Sequence, residues 1–286
     1  MKAQHAIVGV EKYTSALYDA LPEGGVLARF GVGYDGLDLK QATAKGLLCT
    51  NTPGVLDQSV AEHAIALILA GARRVGPLAR KMQDGRWEPE VGWELNGRTL
   101  ALIGCGPIGC QTARIAAFGF GMQVVGCEIR SVDVEQMGRK YGFDRIEKEF
   151  AEAVREADFV SLHIPSTPEN HHFINQVRLD QIPEEAMLVN VARGPLIDEA
   201  ALYQTLQAGQ LRGALLDVYT QEPYEPVDQA RDLRDLDCVV MTPHVASSTV
   251  EACERMASRA MYNIQMAIEQ QFGKMDLLNR EILQDA

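Results

Sequence analysis

The 286-residue chain has no excess of positive charge: 27 Lys and Arg stand against 39 Asp and Glu, a net charge of −12. A duplex-binding protein carries a basic footprint, so nucleic acid is excluded as the expected partner. The chain also lacks a long hydrophobic run. The longest, Ala64 to Ala72, is too short to span a bilayer and ends at Arg73–Arg74, which excludes a membrane helix there. The opening segment, MKAQHAIVGVEKY, has no apolar core of the secretory kind. Cys49, Cys105, Cys110, Cys127, Cys238 and Cys253 include no C-x-x-C and no His/Cys group at zinc spacing, so no metal site is expected. Most of them lie in or beside apolar runs, where a thiol is a small buried hydrophobe, and such unpaired thiols suit a reducing compartment. Together these absences point to a cytoplasmic protein. Fixed-period repeats and low-complexity tracts are missing too.

What is present is ordinary globular composition, 47% hydrophobic and 23% charged, in a chain longer than one core usually serves. Two domains are therefore expected. HAIVGV, VLARFGV and LLCTNT read as strands near the start; TLALIG, MQVVGC, DFVSLHI, AMLVNVA, GALLDVY and CVVMTP read as strands later. Most are continuous apolar runs rather than alternations, the pattern of parallel strands covered on both faces. Helical segments separate them, so the class is α/β. Ser59 followed by Glu62 reads as a capping box before an almost wholly apolar helix over 60–73, which should be buried between layers. Ser248 followed by Glu251 reads as a second, opening a helix to about Gln271. Between Arg74 and Asn96 the chain is polar and irregular and holds both tryptophans, Trp87 and Trp93; a helix followed by a surface arm is expected, with a new sheet starting at Arg98.

The sharpest local pattern is TLALIGCGPIG, in which Gly104, Gly106 and Gly109 form G-x-G-x-x-G directly after a strand. The first glycine permits the tight turn, the second lets backbone approach a pyrophosphate, and the third lets helix pack on strand. Pro107 stands at the first helical position, which tolerates proline, and the helix N-terminus then faces the phosphates. A second strand ends at Glu128, 19 residues after Gly109. An acid there can accept both adenosine ribose hydroxyls and would repel a 2′-phosphate, so the expected cofactor is NAD. Arg130 is the one neighbour that could accommodate NADP.

Further candidates stand at the C-terminal ends of expected strands, where open α/β sheets bind ligands. Arg193 follows AMLVNVA, Asp217 ends GALLD, Glu222 follows in YTQEP, and His244 ends CVVMTPH. An arginine can grip a carboxylate or polarise a carbonyl, and a histidine can pass a proton near neutral pH. A carboxylate beside that histidine favours the imidazolium and fixes its orientation. Reduction of a 2-oxo acid needs this set.

ARFGVGYDGLD (28–38), TNTPGVLDQSVAEHAIALIL (50–69), the GCGPIG loop, SLHIPSTPEN (161–170), NVARGPLIDEAAL (190–202), GALLDVYTQEP (213–223) and TPHVASST (242–249) carry a resemblance over nearly the whole chain. It resembles the D-isomer-specific 2-hydroxyacid dehydrogenase family, which includes enzymes that act on phosphoglycerate and on glyoxylate and hydroxypyruvate. The resemblance implies a Rossmann-type doubly wound parallel sheet over 61–247 and a smaller, discontinuous, flavodoxin-like substrate domain made from 1–60 and 248–286. It implies catalysis by Arg193, Glu222 and His244, and a small 2-oxo or 2-hydroxy acid as partner. Cofactor contacts would come from Gly104, Gly106, Pro107, Ile108, Gly109, Glu128, His163, Pro165, Val191, Arg193, Asp217 and His244, with Asp217 on the nicotinamide carboxamide. Backbone of Gly31, Val32 and Gly33, together with Arg193 and His244, would hold the substrate. A homodimer through the tryptophan-bearing arm is expected. Lys12 and Arg29 fall near the substrate loop and are either surface charges or contacts to a second anionic group. Relatives usually carry one or two further strand–helix pairs before the segment equivalent to HAIVGV. The substrate domain is therefore expected to have fewer strands and an exposed edge, whether the chain is naturally short or its start has been lost. The alternative is a non-catalytic, NAD-sensing binder of the same fold, like the corepressors that resemble this family.

Overall fold

The computed structural model describes residues 3–283. Contacts divide the chain into two units, one formed by the chain to Asp57 together with Ser247 onward, the other by Gln58–Ala246.

In the first unit, β1 (Ala6–Val8), α1 (Ser15–Ala20), β2 (Val26–Arg29), α2 (Leu39–Ala44) and β3 (Leu48–Thr50) alternate. The strands form a parallel sheet in the order β1-β2-β3, with Ala6 opposite Leu27 and Val26 opposite Leu48. Central β2 is buried at every position, which explains its unbroken apolar run. Leu27 and Cys49 join Tyr18 and Leu47 in one core cluster; Val26 and Ala28 join Ala260 and Met266 in another. The outer side of β3 is met by Leu277 in an antiparallel bridge to Thr50, and the Asn279 side chain accepts the Cys49 amide at 2.9 Å. No strand pairs with the other side of β1 among the described residues, and Ile7 there is 46% exposed.

The second unit begins along α3 (Asp57–Ala72) and continues through α4 (Val75–Gln83), β4 (Thr99–Ile103), α5 (Pro107–Phe120), β5 (Gln123–Cys127), α6 (Val134–Tyr141), β6 (Arg145–Glu147), α7 (Phe150–Val154), β7 (Phe159–Leu162), α8 (Gln176–Leu179), β8 (Met187–Asn190), α9 (Glu199–Gln207), β9 (Gly213–Leu216) and β10 (Val239–Met241). The sheet is parallel, in the order β10-β9-β8-β7-β4-β5-β6. Strand order reverses beside β4, so the loops after β4 and β7 flank a topological switch point. β6 was not expected: its three residues, RIE, are half-buried and mostly charged, too short and polar to stand out in the sequence.

Both expected helix caps need correction. α3 starts at Asp57, so Ser59 is buried inside the first turn rather than before it. The helix is indeed buried over most of its length, and Gly71 lies so close to the sheet that a Cβ would meet Leu215 at 2.7 Å and Met187 at 2.9 Å. The last helix, α10 (Val250–Ile268), is capped by Thr249, not Ser248: Thr249 is extended and its hydroxyl accepts the Ala252 amide at 3.1 Å. It ends before Gln270, which takes a left-handed conformation (φ 57°). After α4 the chain is an irregular arm as far as β4. Lys81 donates to Glu90 at 2.7 Å and Arg74 also bonds Glu90, tying the arm to α4. Trp93 packs on Phe159 (centroids 5.9 Å apart) with the Arg212 guanidinium 4.1 Å from its ring, whereas Trp87 is 82% exposed.

Candidate active site

The glycine loop follows β4 and opens α5, with Gly106 as N-cap and Pro107 at the first position. Each glycine answers a different constraint. Gly104 has φ 100°, and a Cβ there would meet the His163 carbonyl oxygen at 2.6 Å; one at Gly109 would meet the Gly104 oxygen at 2.2 Å. A Cβ at Gly106 would meet nothing within 4 Å. Packing thus requires two of the glycines, while the third keeps space open above the first turn of a 14-residue helix. The amides of that turn, including Ile108 and Gly109, have no carbonyl one turn back, and no side chain caps them. A pyrophosphate fits there. His163 and Pro165 follow β7 across the switch point. His163 Nε2 lies 2.9 Å from Ser161 Oγ, and burial lowers the imidazole pKa to about 4, so it is neutral. Cys105 and Cys127 flank the loop as inert thiols, their pKa values pushed by burial to about 12 and about 11.

Glu128 directly follows β5 with both carboxylate oxygens engaged. Arg130 donates Nε at 3.0 Å, Nη2 at 2.8 Å and its own amide at 3.0 Å, and the Cys105 amide donates at 3.2 Å. The Arg130 guanidinium holds the carboxyl down at about 2. The residue read as a door to NADP is therefore bound to the residue read as the ribose acceptor.

Arg193, Glu222 and His244 come from the ends of β8, β9 and β10, which are neighbours in the sheet. Gly194 brings the first two segments together: a Cβ on it would sit 1.8 Å from the Tyr219 carbonyl carbon, so only glycine allows that backbone approach. Asn190 donates to the Arg193 carbonyl at 2.8 Å, and Arg193 Nη1 donates to the Ala192 carbonyl at 2.7 Å. Val191 is buried beside them. Glu222 Oε1 accepts the Tyr219 amide at 3.0 Å; its Oε2 lies 2.6 Å from His244 Nδ1. Burial pushes the Glu222 carboxyl up, but its bond to His244, the Tyr219 amide and the charges of His244 and Arg193 outweigh that, and it lies below the ordinary range. With Nδ1 held by Glu222, Nε2 is the ring nitrogen left for a substrate.

Asp217 has no exposed surface and is already heavily bonded. Oδ1 accepts the Thr242 hydroxyl at 2.5 Å and the Val245 amide at 3.0 Å, and His63 Nε2 lies 3.3 Å away; Oδ2 accepts the Ala246 amide at 2.8 Å. Burial works against its charge, but these bonds prevail and hold its pKa below the ordinary value. His63, Thr242 and Glu199 were not singled out from the sequence. A histidine inside an apolar helix was the available signal for His63. Glu199 is buried at the start of α9 and accepts the Thr220 amide at 2.6 Å, bracing the turn before Glu222; its pKa is raised by burial.

In the first unit, the Gly31–Gly33 loop turns its carbonyls inward. Arg29, only 5% exposed, donates to the Gly33 carbonyl at 2.7 Å and to the Phe30 carbonyl. The Thr52 amide donates to Gly31 O at 3.0 Å, and Asn51 Nδ2 to Val32 O at 2.8 Å. The amides of Val32 and Gly33 have no acceptor among the described residues. Successive free amides of this kind suit a carboxylate. Arg29 is thus a brace rather than a surface charge, while Lys12 is exposed.

A glycine loop on a parallel sheet, with an arginine, a glutamate–histidine pair and a carboxylate at the strand ends, defines a dinucleotide-dependent oxidoreductase. Residues 65–246 match the model of the D-isomer specific 2-hydroxyacid dehydrogenase NAD-binding domain. The chain is 38% identical over 273 residues to a glyoxylate reductase of Korarchaeum cryptofilum, covering 93% of this chain and 80% of the relative. Among solved structures, it is similar to the D-lactate dehydrogenase of Aquifex aeolicus complexed with NAD and lactic acid (TM-score 0.83, 28% identity, 97% of this chain and 87% of that one). It is also similar to an NADPH-dependent glyoxylate/hydroxypyruvate reductase of Sinorhizobium meliloti in complex with NADP and malonate (TM-score 0.80, 32% identity, 93% and 81%). The chain belongs to the D-isomer specific 2-hydroxyacid dehydrogenases. It is an NAD-dependent enzyme that moves a hydride between a hydroxy acid and its oxo acid, and the non-catalytic alternative is not favoured. Among the described residues, no helix is long and apolar enough to cross a membrane.

Proposed function

We propose that the protein reduces a small 2-oxo acid of the glyoxylate or hydroxypyruvate kind, with His244 as the proton donor. The observation that carries this reading is the 2.6 Å contact between His244 Nδ1 and Glu222 Oε2 on strand ends adjoining that of Arg193. NADH, when bound at the glycine loop, supplies the hydride to C2. In the smaller unit, the Val32 and Gly33 amides form a carboxylate-binding loop of their own; Arg193 grips the substrate carboxylate and the carbonyl oxygen with its planar fork. His244 gives its Nε2 proton to that oxygen as negative charge develops, and Glu222 sustains the imidazolium beforehand. Oxidation of NADH measured against glyoxylate, hydroxypyruvate and bulkier 2-oxo acids tests the assignment; no turnover with any of them would overturn it.

The cofactor preference is for NAD(H); the support is the Glu128 carboxylate after β5, which would repel a 2′-phosphate. Equal kcat/KM with NADH and NADPH would show that Arg130 overrides it. The arm carrying Trp87 serves as a homodimer contact in a cytoplasmic enzyme. Its support is the exposure of large apolar side chains along α4 and the arm: Val75 (54%), Met82 (55%), Trp87 (82%) and Val91 (91%). A fully active monomer at micromolar concentration by light scattering would reject this.

A further inference from the structure

We propose that His63 is a positioning residue for the His244 acid, acting through Thr242 and Asp217. The inference rests on His244 being the proton donor. His63 lies on α3, between Glu62 and the apolar run Ala64–Ala72, with a side chain 20% exposed. Its Nε2 is 3.0 Å from Thr242 Oγ1 and 3.3 Å from Asp217 Oδ1. Thr242 has one hydroxyl hydrogen, and it is committed to Asp217 at 2.5 Å. Toward His63, Thr242 can therefore only accept, and an ionised Asp217 can only accept. Two acceptors facing one ring nitrogen require that nitrogen to carry a hydrogen. His63 is thus a donor, and its hydrogen keeps the Thr242 hydroxyl turned toward Asp217.

The buried carboxylate organises the segment that carries the acid. Asp217 Oδ1 and Oδ2 accept the amides of Val245 and Ala246, and its backbone carbonyl accepts the His244 amide at 2.8 Å. Residues 242–246 therefore wrap around Asp217. His244 within that wrap has φ 52°, a left-handed conformation that non-glycine residues adopt only when their surroundings impose it. Thr242, Val245, Ala246 and His63 share one carboxylate. Removing the His63 donor leaves a buried charge short of one partner and frees the Thr242 hydroxyl to rotate. The segment then loses part of what holds His244 in place, while the glycine loop after β4 is untouched.

The test compares His63→Leu, which abolishes the donor, with His63→Gln, whose side-chain amide can restore it. His63→Leu should lower kcat for 2-oxo acid reduction by roughly 10–100-fold, the scale of a ~1 Å misplacement, with KM for NADH within a few-fold of the parent. His63→Gln should recover most of that loss. In the cofactor-free protein, amide hydrogen exchange at Val245 and Ala246 should quicken in His63→Leu and return in His63→Gln. Thr242→Val, which removes the other link, should reproduce the kcat loss, so the proposal stays testable if His63→Leu does not fold. Parental kcat and exchange in His63→Leu, or equal losses in the Leu and Gln variants, would overturn the proposal. His244→Ala assayed in parallel separates the two readings. If His244→Ala keeps parental kcat, the acid assignment fails. If only His63→Leu keeps it, the positioning role alone fails.

Discussion

The two units present backbone amides by opposite means. In the larger, the glycine loop relies on steric exclusion and on a 14-residue helix behind it. In the smaller, the Gly31–Gly33 loop follows β2 and opens no helix; the next, α2, starts at Leu39. The loop's carbonyls are drawn inward by the Arg29 guanidinium, the Asn51 amide and the Thr52 backbone, which leaves the Val32 and Gly33 amides without partners among the described residues. A loop whose function lies in missing side chains tolerates little and shows as a motif. A loop oriented by a buried cation depends on a side chain that acts by holding the loop's carbonyls.

This difference predicts separable failures. The largest effect belongs to neither loop: His244→Ala should lower kcat by about 10²–10⁴-fold with NADH affinity unchanged, measured by steady-state kinetics and fluorescence titration. Next, Arg29→Met should raise KM for the 2-oxo acid by roughly 10–100-fold, since hydrogen bonds from a charged group are each worth ~1.5–3 kcal/mol, while Kd for NADH stays parental. A matching loss of NADH affinity would break the distinction between the units. Gly106→Ala tests the other side. Its Cβ meets no protein atom, so Tm should hold, whereas NADH binding should weaken about 10–100-fold from crowding of the pyrophosphate. A lower Tm with intact binding would mean that the open space serves folding instead.

Smaller shifts sharpen the chemistry of the larger unit. The Glu222 carboxyl is held below its ordinary value, so it is charged from that range upward, and its contribution is lost only as pH falls through the depressed value. Glu222→Gln removes the charge at every pH. The alkaline limb of 2-oxo acid reduction should then move to lower pH by roughly one unit, read from kcat/KM profiles. An unmoved limb would point to another proton donor. Smallest is Arg130→Ala: an exposed arginine on Glu128 contributes up to ~1 kcal/mol, so the NADH over NADPH preference should rise about two- to fivefold. A fall would show that the arginine assists NADH binding.

By itself, the sequence determined the parallel α/β architecture, the glycine loop and the strand-end residues Arg193, Glu222 and His244. Short continuous apolar runs, alternating with helical segments, are covered on both faces of a parallel sheet, and a dinucleotide turn excludes side chains at fixed spacing. Tertiary structure alone decided the rest. β6 forms because β5 offers it an edge, not because RIE is a strong strand. The cap of α10 moved from Ser248 to Thr249 because capping depends on which residue turns extended beside the first helical turn. Glu128 and Arg130 read as opposing preferences until geometry joined them in one ion pair. Arg29 stood in the sequence as a charge near the substrate loop and His63 as a histidine in an apolar helix; neither pattern named the groups they bind. Arg29 acts on the Phe30 and Gly33 carbonyls only because the loop folds back on it, and His63 acts on Thr242 and Asp217, which lie more than 150 residues away along the chain. Hydrogen-bond partners are selected by distance in space, and a sequence records distance only along the chain.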